Sequence, residues 1–562
     1  MGEKKTNFLQ LFNEKKYSLI VSIIENKLPP EKKTSGLLNL SGVCRILSRK
    51  SGDSIQSAIN DFREACLKEN DENKLVEPLK NLVNSYAIFF DEEHSKNEKF
   101  LTRDFFDEIY KLKEQYKNLF EKDLKLMKIM LKISRRSSSI KNHILDLKKL
   151  SKLSKDPDLV ASYNFYNNYL YDWSQADYLE NSKKINDRLV SYPKEKLTVL
   201  TKKRKEKINL AFISSDLKYK HSVTYFLKSL LIHYDKNLFN IYIYHNHNMV
   251  NDDIAKEFEN FVSKSVYIFN LKDIEVINTV RQDEIDIIVD LNGFSSDHRI
   301  GLFKNRLAPI QISWCGYTNT TGLTEMDYLI VDNNLVNHSE ENLYSEKLIY
   351  LQNIWNCHCG YESERSKNEL PFKKNKFITF GSFNNFNKLS DEVIEAWSLI
   401  LKSVKNSRLL LKTSIISCYD IYQEKFNKYG VLNSIKFLNR DKKFDDHLYK
   451  YREIDISLDT FPWNGVTTSF ESIWMNVPVI TMDGYNFSSR CGASINKNLN
   501  LLELIASNKN DYVNKAVSLA ENTNKLIQIR DNLFDNALSS PLFDTKNFSD
   551  QFFSSLKKLY NN

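Results

Sequence analysis

Apolar positions change their period near residue 195. Before it they recur three and four apart, as in Leu37, Leu38, Val43, Ile46 and Leu47 and then Ala58, Phe62 and Ala65. Glycine and proline are sparse there, so helices are predicted throughout. Residues 36–70 have the outline of a helix–turn–helix repeat of ~34 residues, with Gly42 in the first helix and Ala58 and Ala65 in the second. Leu75–Phe90 is placed to open a degenerate second copy, so a tetratricopeptide-like array and an irregular helical bundle both fit. The aromatic run Tyr163–Trp173 has helical spacing, which predicts packing rather than a base-stacking platform.

Beyond Pro193 and a polar run, short apolar segments alternate with amphipathic ones. Strands are predicted at Ile208–Ser214, Ile241–Tyr244, Val266–Phe269, Ile285–Asp290 and within Ala308–Tyr317, with helices around Asp252–Val262 and Ile274–Arg281. Apolar strands separated by helices imply a parallel sheet covered on both faces. A second such set begins near Phe377. Ser390 and Asp391 cap a helix carrying Val393, Ile394 and Trp397, strands follow at Arg408–Lys412 and Ser434–Leu438, and two long helices end the chain. The expected organisation is a helical domain over 1–195 and two α/β domains over 206–370 and 371–562. The α/β pair has a cleft between doubly wound halves.

One stretch concentrates these signals. The apolar run Ile454–Leu458 meets Asp459, Pro462, Asn464 and Gly465, which break it. Thr467 and Thr468 then read as N-cap and first-turn residues of a helix with Phe470, Ile473 and Trp474 on one face. Asn476 and Pro478 close that helix before a second buried strand, Val479–Met482. Free N–H groups at the helix start would lie just beyond a strand's carboxyl end, where an anion binds. No Walker-type glycine pattern is present, and an ordinary crossover with two solvated threonines fits the spacing as well.

Composition narrows the function classes. At 562 residues the chain calls for three or four domains at ~150 residues each. Its 80 basic and 72 acidic residues leave +8, scattered along the sequence, which argues against a nucleic-acid footprint. No window of eighteen apolar residues predicts a membrane span, and MGEKKTNFLQLF lacks the apolar core of a secretory signal. Gly2 and Thr6 match a short myristoylation pattern that chance alone produces often. Seven scattered cysteines imply no disulfide framework and a reducing, cytoplasmic setting. Cys357 and Cys359 flank His358 without the second ligand pair that a zinc site requires.

From Ile208 to Pro541 the chain resembles the O-linked N-acetylglucosamine transferase family. The resemblance rests on ISSD at 213–216, His221 in HSVTYF, VDLNG at 289–293, APIQ with GY at 308–317, TTGL with MDY at 320–328 and GSFNNFNK at 381–388. The Asp459–Met482 stretch, SRCGAS and SPLFDT complete it. It implies two Rossmann-like domains in a GT-B arrangement behind tetratricopeptide repeats. The implied reaction is inverting transfer from a UDP-sugar donor to a protein acceptor, with no metal or other cofactor. By that resemblance His221 and Lys388 are catalytic, with Lys388 at the donor diphosphate. Thr467 and Thr468 also meet the diphosphate, Glu471 the ribose, His447 the uracil, and Asn385 lies near the nucleotide. Val466 stands where several relatives have histidine or glycine, Phe294 where bacterial relatives often have histidine, and Tyr225 in place of a second histidine after His221. Donors other than UDP-N-acetylglucosamine, an asparagine or glycan acceptor, or a decayed helical-repeat scaffold remain as alternatives.

Overall fold

The computed structural model describes residues 7–48, 55–96, 103–135, 140–200, 205–218, 221–248, 253–363, 365, 367, 369–412, 419–439, 441 and 443–561. They form two compact units. One holds the helices up to Ser154 and a short segment ending at Tyr422; the other holds the rest of the chain from Lys155.

In the first unit, helices Ser35–Ser48 and Ile55–Leu67 are the predicted pair. Gly42 is necessary to it, because a Cβ there would lie 2.6 Å from the Phe62 ring. Leu75–Phe90 falls inside one 25-residue helix, Glu72–Lys96, which continues past Pro78. These packed neighbours are consistent with a tetratricopeptide-like layer.

The second unit contains two parallel sheets. In the first, β1 (Ile208–Ser214), β2 (Phe239–His245), β3 (Lys264–Tyr267), β4 (Ile287–Asp290), β5 (Ile310–Ser313), β6 (Tyr328–Asp332) and β7 (Lys347–Leu351) lie in the order β3-β2-β1-β4-β5-β6-β7. The second has β8 (Thr379–Ser382), β9 (Arg408–Lys412), β10 (Ile435–Leu438), β11 (Ile456–Leu458), β12 (Val479–Met482) and β13 (Ile505–Ala506), in the order β10-β9-β8-β11-β12-β13. Every residue of β1, β4 and β11 is buried, as helices on both faces require. Each sheet reverses its direction of growth once, between β1 and β4 and between β8 and β11. Ligands bind at the carboxyl ends of strands flanking such a reversal. The two Rossmann-like halves thereby present four loops, those after β1, β4, β8 and β11.

Packing divides the long helical stretch earlier than its periodicity did. Helices Pro157–Asn167 and Gln175–Asn186 belong to the second unit, where Val160, Ala161 and Ile185 share a core with Ile213, Ile288 and Phe303. Gln175 Nε2 donates to Asn319 Oδ1 at 2.7 Å. Gly322, with φ +71°, has no room for a Cβ, which would lie 2.3 Å from the Ser182 backbone. Three helices rather than two end the chain: Lys509–Glu521, Thr523–Asn536 and Thr545–Asn561. The last returns to the first half, with Phe552 4.9 Å from Trp314 and Ser549 Oγ donating to Leu230 O. A boundary at 371 therefore separates the sheets but not all of their cladding. Among the described residues, no helix is long and apolar enough to cross a membrane.

Candidate active site

The loops after β8 and β11 interlock. Ser390 caps the helix Asp391–Ser403, and the preceding turn Phe386–Lys388 turns the lysine toward the β11 loop. Lys388 Nζ donates to Asn464 O at 2.6 Å and lies 5.1 Å from the Trp463 ring centre. Burial pulls this half-buried ammonium down to about 8, and nearby Asp459 opposes the shift. Asp459 organises the other loop. Its carboxylate accepts from Gly465 N at 2.6 Å, Thr460 N at 2.8 Å and Thr481 Oγ1 at 2.8 Å. Complete burial pushes it up to about 6 against those donors.

The helix beyond this loop is Thr467–Trp474, and its N-cap is Val466, with no side-chain cap. The expectation of Thr467 as N-cap is therefore corrected by one residue: Thr467 and Thr468 occupy the first turn. Thr468 Oγ1 donates instead across the interlock to Asn384 Oδ1 at 3.0 Å. An uncapped first turn presents free N–H groups and the positive end of the helix dipole.

One helical turn further on, a second cluster forms. Lys412 Nζ donates to His447 Nδ1 at 2.6 Å and pairs with Asp441. An ammonium only donates, so Nδ1 accepts and the ring proton sits on Nε2. Nε2 then donates to Glu471 Oε2 at 3.1 Å, which also accepts from Tyr451 OH at 2.9 Å. The ring also has Phe383 and Phe444 beside it, with centres 5.8 and 5.7 Å away. Glu471 is buried, and the His447 and Tyr451 donors both go to its Oε2.

The first half contributes the loops after β1 and β4. Asp290 accepts from Asn292 N at 3.1 Å and Gly293 N at 2.9 Å, and burial pushes it up to about 6. Asn292 Nδ2 in turn donates to Asp216 Oδ2 at 3.0 Å and to Ser215 Oγ at 2.7 Å. The ISSD and VDLNG motifs thus tie two strand ends together. His221, the N-cap of helix Ser222–Leu231, has Nε2 3.6 Å from Asp216 Oδ1. Burial lowers its pKa, Asp216 opposes and Lys218 adds to the lowering, so at neutral pH the ring is a proton acceptor. Its helix crosses the cleft: Phe226 is 5.4 Å from Phe470, and Tyr225 stacks 6.4 Å from Phe444.

Of the residues expected from sequence, Lys388, Thr467 and Thr468 share one interlock, and His447 and Glu471 share a hydrogen bond. Asn385 stands apart: it is exposed and its Oδ1 accepts from Asn387 N, while buried Asn384 takes the contact with Thr468. Phe294 is buried against Tyr317, 5.0 Å away. Lys412 and Tyr451 were missed. A lysine closing the apolar strand RLLLK was one available signal, and Tyr451 sits four residues after His447, in the 3-10 turn Lys450–Glu453 that continues its helix. His358 is a core residue, stacked on Tyr225 and Phe470, with Nδ1 accepting from Gly360 N. Among the described residues no three His, Cys, Asp or Glu side chains converge on one point.

With this geometry in hand, a family model described as glycosyl transferase family 41 matches residues 179–359 and 361–552. The probable UDP-N-acetylglucosamine–peptide N-acetylglucosaminyltransferase SPINDLY of Arabidopsis thaliana is 33% identical over 356 residues, covering 61% of this chain and 38% of that protein. Its counterpart in Solanum lycopersicum is 32% identical over 349 residues, covering 60% of this chain and 37% of that protein. The chain thus aligns with well under half the length of these relatives. A mutant of the Thermobaculum terrenum O-GlcNAc transferase superposes over 100% of this chain and 98% of its own, with a TM-score of 0.73 at 21% identity. That likeness establishes the fold: two facing Rossmann-like halves with a helical N-terminal region.

Proposed function

From the premise that this chain belongs to glycosyltransferase family 41, we propose that it transfers a sugar from a UDP-sugar to serine or threonine of protein acceptors with inversion, and that the sugar is N-acetylglucosamine. The observation that carries the reading is the Lys388 ammonium held on Asn464 O, in the same interlock as the uncapped first turn of Thr467–Trp474. Cleavage of a sugar–phosphate bond leaves a nucleoside diphosphate whose charge grows in the transition state. A fixed cation and a helix N-terminus stabilise that charge without a divalent ion. Glu471 takes the ribose hydroxyls, and His447, held by Lys412 and Glu471, faces the base. His221 accepts the proton of the attacking hydroxyl, with Asp216 beside it to stabilise the imidazolium. The named relatives support the donor and the peptide acceptor. A cytoplasmic setting fits the described cysteines, which are all free.

The test is transfer from labelled UDP-N-acetylglucosamine, UDP-glucose and GDP-fucose to a peptide library, with and without EDTA. Alkali-labile label from UDP-N-acetylglucosamine, unaffected by chelation, is the expected result. Preference for another donor would replace the sugar. Loss with EDTA restored by manganese would refute the metal-free reading, and inertness with all three donors would sink the assignment.

The tautomer argument adds a prediction. Lys412→Met keeps the aliphatic stem but removes the donor to Nδ1, so His447 no longer holds Glu471 in a single arrangement. Losing ~1–2 kcal/mol of charge-assisted hydrogen bonding should raise the UDP dissociation constant ~5–30-fold. Calorimetric titration with UDP checks it, and an unchanged affinity would remove Lys412 from the donor site.

A further inference from the structure

The aromatic run Tyr163–Trp173 is placed where packing alone does not exhaust its role. Phe165 in the helix Pro157–Asn167 and Tyr169 in the turn just after it close on Trp463, with ring centres 5.0 and 4.8 Å away. Lys388 Nζ also lies near Trp463, 5.1 Å from the ring centre. The segment that presses on the tryptophan is fixed to both halves. Phe165 stacks on Tyr317 of the first half at 6.3 Å, and Ser488 Oγ of the second donates to Asn168 Oδ1 at 2.8 Å. Trp463 O accepts from Thr460 Oγ1 at 2.8 Å, which seats the ring's own backbone in the Asp459 loop.

We propose that Trp463, clamped by Phe165 and Tyr169, is a positioning residue for Lys388, and that the Pro157–Asn167 helix and the residues just after it thereby belong to the catalytic apparatus although they lie outside both sheets. The physical need is plain. A lysine is a point charge on a flexible stem, and each rotamer it samples away from the leaving group is lost to catalysis. One carbonyl contact fixes its direction but not its height above the loop. An aromatic face does that while favouring the charged form. The ring is held in turn by rings from another element, so its plane cannot turn away.

The inference rests on Lys388 acting on the leaving diphosphate, and the experiment separates the two. Steady-state kinetics and melting temperature are measured for Trp463→Leu, Trp463→Phe, Phe165→Leu, Lys388→Ala and the double variant Trp463→Leu/Lys388→Ala. Trp463→Leu should lower kcat ~10-fold with donor KM changed less than ~3-fold, because the ring acts when charge develops. Trp463→Phe should recover most of the loss, and Phe165→Leu should shift kcat in the same direction. In the Lys388→Ala background Trp463→Leu should cost nothing further, the signature of action through the lysine. Equal losses in both backgrounds, or a change in KM alone, would overturn the positioning role while leaving Lys388 in place. A Lys388→Ala enzyme as fast as the parent would instead overturn the diphosphate reading and this one with it. If Trp463→Leu fails to fold, the Trp463→Phe and Phe165→Leu pair decides in the same way: unchanged kcat in Phe165→Leu would overturn the clamp.

Discussion

Lys388→Ala should lose ~10²–10³ in kcat with a melting temperature close to the parent's. The lysine sits half-buried on a short turn whose backbone is set by Asn385 and by the Ser390 cap, neither of which needs the ammonium. What is removed is the charge that meets the leaving group. The same group sets a pH limit. Burial lowers its pKa to about 8, so the ammonium is present below that pH and lost above it. kcat/KM, which reports the free enzyme, should therefore fall as pH rises through ~8 and level off below, until protonation of His221 adds an acid limb. Lys388→Arg, whose guanidinium stays charged, should abolish that alkaline limb whatever it does to the rate. A variant enzyme within a few-fold of the parent at pH 7 would remove Lys388 from the mechanism.

The largest structural effect is expected at Asp459. Its carboxylate holds Gly465 N, Thr460 N and Thr481 Oγ1 at once, and its carbonyl accepts from Tyr512 OH at 2.8 Å. Helix Phe487–Asn498 comes so close that a Cβ on Gly492 would lie 2.6 Å from Asp459 Oδ2. Asp459→Ala leaves three donors unpaired in a dry interior and opens a gap. That combination costs ~3–5 kcal/mol. A fall of roughly 10 °C or more in melting temperature follows for a domain of this size. UDP affinity should fall with it, because this carboxylate binds both ends of the turn that leads to Thr467 and Thr468. Asp459→Asn, which keeps the volume but loses acceptor capacity, should lie between. A melting temperature within a degree of the parent and unchanged UDP binding would show that the loop is held by something else.

The two expectations differ in how they could be reached from sequence. Asp459 is legible as the residue that ends a buried strand before a breaking loop, and its acceptor role follows from the N–H groups such a loop exposes. Lys388 is not legible that way. Next to a helix start a lysine is ordinarily solvated, and its chemistry came from resemblance to a family rather than from spacing. Asn385 shows the limit of that transfer: the position matches, but the side chain closes its own turn and the neighbouring Asn384 faces Thr468.

What the sequence determined by itself is local in origin. The change of hydrophobic period separated helices from parallel strands, because burial on one stripe or on two faces writes itself into consecutive residues. The strand–loop–helix–strand unit at Asp459–Met482 was visible for the same reason, and with it the helix terminus of the site. What only the tertiary structure decided is which buried face meets which. Helical spacing in Tyr163–Trp173 announced that the rings pack, but not that they pack on Trp463 and on the first half. Nor could it move the division of the helical stretch from 195 to Ser154. The proton on His447 Nε2 depends on Lys412, thirty-five residues earlier in the chain and brought alongside only when β9 enters the sheet. Pairings of that kind carry no periodic signal, since both partners are single polar residues at strand and helix ends and their distance is set by the fold alone.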